Sequence, residues 1–530
     1  MAASATSQEK ADPFDEKDLG AVETCENSTL PVIVSAEDDK RIRRKTDRRI
    51  LAILCLVFWL QVLDKNVMGY TATVGLKTDA KLKGNEYSTL SSMAAYAQLA
   101  CQPLGAFLLV RFPINRLLAI LMFCWGTTLA VMAAANNFRS LAALRFVLGA
   151  FESLSMPAFT LATVTWYRRA EQPIRMAAWY CQNGTASMAG AFFVWALSHN
   201  KHPSLHLYQI TFIFTGALTV LFVPVAWAFW DEKPEKAGKW LTPEDRAKAV
   251  ERLKANQTAS NTNKFQWSQV KELFLDPKTY LFGSLAILCN NTFGAILLQS
   301  VAGLPPKTTL LLNIPYGVLQ ILCILLTSWC ATRFRIKSFF FAIIYLPCII
   351  GYALLYTLPR THDNLGPLLF GFYLTAFSFG ASPLLVAWIG ANTAGSTKKA
   401  GLVSIYGGNV IAPNLFAAKD APLYLNGLKY VLILVCITLL NIGLLVLVLR
   451  WQNGLKRKQR VAHGMPADLK DVSMQHKYDE NAAASNEIQE LPREGSDTLG
   501  GGAVDAKVVP SQEANDDRTD RENPTFIYVY

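Results

Sequence analysis

Runs of about 20 apolar residues, the length that crosses a bilayer, recur along this chain between charged or turn-forming breaks. No water-soluble core absorbs so many of them. Inside lipid every backbone polar group must be satisfied within its own segment, which selects helices over open strands. Twelve spans are expected. The first six are 50–70, 87–110, 117–136, 141–167, 177–199 and 208–230, and the second six are 280–300, 308–331, 338–358, 367–389, 401–417 and 425–449. Only 17% of the 530 residues are charged, against about one quarter in soluble chains. The expected fold class is an all-α polytopic membrane protein with 12 transmembrane helices in two six-helix bundles. An ordinary soluble enzyme and a nucleic-acid binder are excluded.

Orientation follows from the positive-inside rule. With both termini inside, the inner segments hold 32 Lys and Arg and the outer loops 8. A basic run, Lys40 to Arg49, directly precedes the first span and is expected to anchor the chain against anionic inner-leaflet lipid. The first 39 residues lack an apolar core, so the first span is expected to serve as its own targeting signal. Five regions result: a tail 1–49, an N-terminal bundle 50–230, a cytoplasmic loop 231–279, a C-terminal bundle 280–450, and a cytoplasmic tail 451–530. Within the loop, Thr242, Pro243, Glu244 and Asp245 predict a helix start. Residues 461–530 carry 14 acidic against 6 basic side chains, and the tail is expected to be mostly disordered.

Two bundles around a midplane cavity are the architecture of a secondary transporter. The sequence holds neither a phosphate-cradling P-loop nor a carbonyl-filter motif, so flux is expected to be driven by a gradient. Ten cysteines are scattered, most of them within apolar runs and none as Cys-x-x-Cys. They point to no metal and no cofactor.

Ionisable residues inside spans are costly and therefore informative. The N-terminal half has Asp64 and Lys65 on span 1 and Arg145 and Glu152 on span 4; the C-terminal half offers amides, among them Asn290, Asn291, Asn313, Gln320 and Asn409. Charge recognition is thus expected in the first bundle and neutral hydrogen bonding in the second. Arg145 and Glu152, two turns apart, share one helix face about 10 Å apart along the axis. Arg145 is either a planar fork for a carboxylate or a structural partner of Asp64 or Glu152. Glu152 is the candidate proton carrier. Asp64 and Lys65 serve substrate or gating, or form an ion pair at the outer mouth. Pro157 is expected to kink span 4 near Glu152. The aromatic residues Trp166, Tyr167, Trp179, Tyr180, Trp227 and Trp230 are expected at the membrane interfaces.

The stretch Arg145-Phe146-Val147-Leu148-Gly149-Ala150-Phe151-Glu152, then Pro157, then Trp166-Tyr167-Arg168-Arg169-Ala170-Glu171-Gln172-Pro173-Ile174-Arg175, resembles the span 4 signature of fungal major facilitator transporters. More narrowly it is similar to the allantoate permease branch of the anion:cation symporter family. Leu63-Asp64-Lys65, Gln102-Pro103 through Arg111-Phe112-Pro113, Trp240-Leu241-Thr242-Pro243-Glu244 and Asn392-Thr393-Ala394-Gly395 agree with that branch. The resemblance implies a major facilitator fold and proton-coupled uptake of a small carboxylate, of the allantoate, ureidosuccinate or vitamin kind, at a fungal plasma membrane. It implies anion contact at Arg145, with Asp64, Lys65, Asn290 and Asn291 in substrate binding. It further implies proton coupling at Glu152; Asp64 is also expected in proton coupling, Pro157, Arg111 and Arg175 in gating, and nothing in the sequence demands more than a monomer. The chain departs from the family after Asn291 and between Lys399 and Asn409, where it looks shorter. A transport-poor nutrient sensor and a metabolite exporter of the same fold are the alternatives.

Overall fold

A computed structural model describes residues 34–73, 75–84, 86–199, 205–254, 265–289, 306–406, 425–463, 466–467 and 517–530. Every regular element among them is helical. An entry helix α1 (Ala36–Thr46) leads into α2 (Ala52–Thr73), and α3 (Glu86–Arg111) and α4 (Ile114–Met132) follow. The fourth span is α5 (Phe138–Glu152) plus α6 (Ser155–Trp166), the fifth is α7 (Gln172–Tyr180) plus α8 (Gln182–Leu197), and the sixth is α9 (Leu207–Phe229). The connecting loop carries α10 (Pro243–Lys254) and α11 (Trp267–Leu275). The second half holds α12 (Pro277–Cys289), α13 (Pro306–Phe334), α14 (Lys337–Ile343), α15 (Tyr345–Thr357), α16 (Leu365–Leu374), α17 (Ala381–Ala391), α18 (Ser396–Tyr406) and α19 (Leu425–Ala462).

Among the described residues nine helices are long and apolar enough to cross a membrane. The other three expected spans correspond to α7–α8, interrupted at Cys181, and to α12 and α18, which run up to residues outside the described set. Twelve spans fit this arrangement. Leu104, Leu221, Leu440 and Leu447 are all more than half exposed, as expected of side chains facing lipid tails rather than water.

Local chemistry explains the helix ends that matter most. Ser35 caps α1, its Oγ accepting from the Asp38 N–H at 3.1 Å, with acids in the first turn and Arg43, Arg44 and Lys45 in the last. Thr242 caps α10 as its sequence predicts, accepting from the Asp245 N–H at 3.2 Å. Pro157 lacks the N–H that would bond the Ser153 carbonyl. The fourth span accordingly breaks at Ser153–Leu154, which leaves Glu152 as the last residue of α5.

Close helix crossings rest on glycine, since lipid supplies no hydrophobic drive and backbones must approach closely. A Cβ built on Gly216 of α9 lies 2.6 Å from the Gly126 carbonyl oxygen of α4, and one on Gly184 of α8 lies 2.4 Å from the Gly317 carbonyl oxygen of α13. The bundles meet along α8–α13 and α3–α18. On the face carrying the helix ends near residues 111, 166 and 391, α7 also packs on α17. At Gly149 a Cβ would lie 2.5 Å from the Ala94 carbonyl oxygen and 2.6 Å from its Cα. Gly149→Ala is therefore expected to push α3 and α5 apart, costing about 1–3 kcal/mol, and thermal unfolding in detergent measures the loss.

The acidic tail departs from expectation at its far end. Residues 517–530 pack onto the second bundle, with Thr519, Asp520, Phe526 and Tyr528 all at 2% exposure or less. The segment Phe526-Ile527-Tyr528-Val529-Tyr530 is apolar and aromatic, so it has area to bury that the preceding polar stretch lacks.

Candidate functional site

Four ionisable side chains meet inside the first bundle. Arg145 and Glu152 on α5 are 5% and 3% exposed, and Asp64 on α2 is fully buried. The charges of Asp64, Lys65, Arg145 and Glu152 lie close enough to act on one another. No ion pair joins Arg145 to Glu152. The Nε and Nη1 donors of Arg145 and the Oε1 of Glu152 are buried without a hydrogen-bond partner among the described residues. Buried guanidinium donors in that state are costly, and their geometry matches an incoming carboxylate. Tyr87 of α3 also stands near Arg145.

Asp64 and Lys65 are not paired with each other. The Asp64 Oδ2 accepts from the Thr219 hydroxyl of α9 at 2.9 Å, turned into the packing between α2 and α9. Lys65, one residue and about 100° further round the helix, is exposed although it sits deep within protein. Beside it, Asn66 donates to the Ser187 hydroxyl at 3.0 Å and Tyr70 to the Ser187 carbonyl at 3.1 Å, tying α2 to α8. Thr219, Ser187 and Tyr87 were not singled out in the sequence, because hydroxyls on span helices are common and only their partners distinguish them.

The second bundle contributes neutral groups. Tyr316 of α13 and Thr375 share a hydroxyl–hydroxyl contact at 3.3 Å, the Asn313 amide donates to the Thr309 carbonyl, and Gln320 is 2% exposed with its Oε1 unpartnered among the described residues. Asn290 and Asn291, expected at the substrate, lie outside the described residues, as does Asn409.

The residues assigned to gating separate. Pro157 is buried at the break of the fourth span. Arg111 ends α3, exposed and without an ion-pair partner among the described residues. Arg175 on α7 grips Asp47 with two bonds, Nε to Oδ1 at 3.2 Å and Nη2 to Oδ2 at 3.0 Å. That clamp belongs to a wider lattice. Glu171 accepts both oxygens' worth of hydrogen bonds from Arg252 at 2.7 and 2.8 Å, Arg252 also reaches Asp39, and Arg41 and Lys45 share Asp245. The basic run ahead of the first span, read as a lipid anchor, thus spends Arg41, Arg43, Lys45 and Arg49 on protein carboxylates. Acids spaced along a distant loop cannot be matched to it by sequence pattern. Burial disfavours charge on Glu171, yet Arg252, Arg175 and Arg168 hold its carboxyl below the ordinary value.

The aromatic residues of the fourth to sixth spans correct another expectation. Trp166, Tyr167, Trp179, Tyr180 and Trp230 are at most 5% exposed, and only Trp227 faces outward. Trp179 packs on Phe58 and Phe159 with ring centroids at 5.0 and 5.6 Å, and its indole N–H donates to Thr163. These rings are core because the α6–α7 turn folds back against α2.

A helical two-bundle chain with buried, unsatisfied charge at its centre defines a membrane transporter. The sequence profile of the Major Facilitator Superfamily matches residues 54–413, and the chain belongs to that superfamily. It is 31% identical over 443 residues to an uncharacterized transporter of Schizosaccharomyces pombe, covering 82% of each chain. It is 32% identical to a thiamine pathway transporter of Saccharomyces cerevisiae (76% of this chain, 78% of that one), and 27% identical to the allantoate permease of the same yeast (83% and 84%). Among solved structures, the proton:xylose symporter XylE aligns with a TM-score of 0.55 at 16% identity, over 74% of this chain and 94% of that one, a likeness of fold. The protein is a multi-pass membrane transporter of small molecules, not an enzyme.

Proposed function

We propose that the protein is a proton-coupled importer of a small organic anion, a carboxylate of the allantoate, ureidosuccinate or vitamin kind, working as a monomer in the plasma membrane with both termini cytoplasmic. One observation carries this reading: the Arg145 donors that are buried and unpartnered within interaction range of Glu152 and Lys65. Charge balance supplies the coupling. Arg145, Lys65, Glu152 and Asp64 sum to zero when all are ionised. An anion entering alone would leave one uncompensated negative charge in a low-dielectric interior, which is strongly unfavourable. A proton arriving on Glu152 restores neutrality and leaves the Arg145 fork to the carboxylate, so anion and proton cross together. The kinship with a yeast allantoate permease supports the same class of substrate.

Labelled uptake of allantoate, ureidosuccinate and nicotinate in yeast lacking its own permeases tests this. Saturable uptake is expected at about pH 5, falling at about pH 7 and collapsing with a protonophore. Background uptake of all three by protein present at the cell surface would refute the importer reading for these solutes. Glu152→Gln, which fixes a neutral carboxyl isostere, is expected to retain substrate binding while uptake loses its response to pH and protonophore.

A further inference from the structure

Residues 517–530 lie across the helix ends of the second bundle on the same face as Arg169 of the α6–α7 turn, and the seat is specific. The Asp520 carboxylate is fully buried between Lys278 and Lys398, which also contact Asp276. The three carboxylates gathered there, Glu272, Asp276 and Asp520, thus already hold two ammonium groups. Asn392 brackets Val529, accepting from its N–H at 2.7 Å and donating to its carbonyl at 3.0 Å. Asn453 does the same for Tyr528, with both bonds at 2.9 Å. The Trp388 indole donates to the Val529 carbonyl, and Lys456 to the carbonyls of Arg521 and Asn523. These side chains come from α12, α17, α18 and α19, so the segment fastens the second bundle into one body on this face.

Its reach does not stop at that bundle. The Arg169 guanidinium, from the first bundle, lies 4.5 Å from the Phe526 ring centroid, and both side chains are at most 1% exposed. Lys399 of α18 is buried where the positive charge of Arg169 and the negative charges of Asp517 and Asp520 all act on it. Two cations from opposite bundles therefore face each other, and the acids that offset their repulsion belong to the tail. Burial first and Arg169 second push the Lys399 amine down to about 7 even with those acids in place.

We propose that residues 517–530 form an autoinhibitory latch: seated, they clamp the two bundles together on this face, and they must leave before it opens. Once the segment lifts away, Arg169 loses its Phe526 contact and Lys399 loses the counter-charge of Asp517 and Asp520, which favours separation of the bundles. The latch goes beyond the choice of substrate, so its test needs none.

Arg116 on α4 and Arg333 on α13 are exposed on this face, one in each bundle. Nitroxide-bearing amino acids are placed at both positions in the full-length protein in lipid nanodiscs, and pulsed electron–electron spectroscopy reads the distance between them. The double variant Asp520→Asn with Phe526→Ala is expected to enlarge the longer-distance population by about thirtyfold, the scale of one desolvated cation–aromatic contact. Phe526→Ala alone, which keeps both cations and the Asp520 ion pairs in place, is expected to shift it in the same direction and decides the matter should the double variant not fold. An unchanged distance distribution in the folded variants overturns the latch, including when trypsin cuts the released tail at Arg518 or Arg521. That outcome would make the segment a passive cap of the second bundle, and it would leave the importer reading untouched.

Discussion

Arg145→Ala is expected to reduce saturable anion uptake by at least about thirtyfold while the protein still reaches the membrane. Removing one side of a buried charge-assisted contact costs about 2–5 kcal/mol, and 2 kcal/mol is about a factor of thirty. Arg145 is 5% exposed with two donors that no group among the described residues satisfies, so its loss is expected to remove ligand contact rather than an internal ion pair. Arg145→Lys should recover part of the uptake at best, because a point charge on a flexible stem replaces a planar fork. Uptake kinetics, normalised to surface protein, check both. Wild-type-like uptake in Arg145→Ala would move the anion site elsewhere.

Glu171→Ala carries the largest expected loss of stability. It leaves the Arg252 guanidinium, 1% exposed, with Asp39 in place of two carboxylates, and takes a carboxylate from Arg43. Breaking a buried pair from one side costs about 3–5 kcal/mol, enough to collapse the docking of α1 and α10 on the α6–α7 turn. Replacing both partners, Glu171→Leu with Arg252→Met, is expected to restore part of that loss, since Asp39 and Arg43, each losing one partner, still face each other. The acid dependence has a definite sign. The folded-state carboxyl of Glu171 sits below its unfolded value, so the pair's contribution is complete above the usual carboxylate range and is lost as pH falls beneath it. The gap in thermal midpoint between wild type and Glu171→Gln should therefore be constant from about pH 7 down to 5 and close toward pH 3. A gap that widened in acid would contradict the assignment.

Much of the architecture was legible because membrane physics acts on local sequence. A span must be long, apolar and helical whatever its neighbours do, so the runs were visible directly. The break at Pro157 and the cap at Thr242 were legible for a similar reason, each depending on one residue's own backbone chemistry. Arg145 and Glu152 stood out because charge within a span is rare. That Asp64 bonds Thr219 rather than Lys65 was not legible, since one helical step decides which side chain is left exposed and which meets packing.

The sequence by itself determined that this chain crosses a membrane many times, that the charges within its spans lie in its first half, and that it belongs with fungal major facilitator transporters. Only the tertiary structure decided which charges find partners. Arg41, Arg43 and Lys45 pair with acids more than 120 residues away, and Asp520 reaches Lys278 across 242 residues of chain. Apolar length and helix capping are properties of contiguous residues, whereas an ion pair is a property of two surfaces that meet only after the chain has folded.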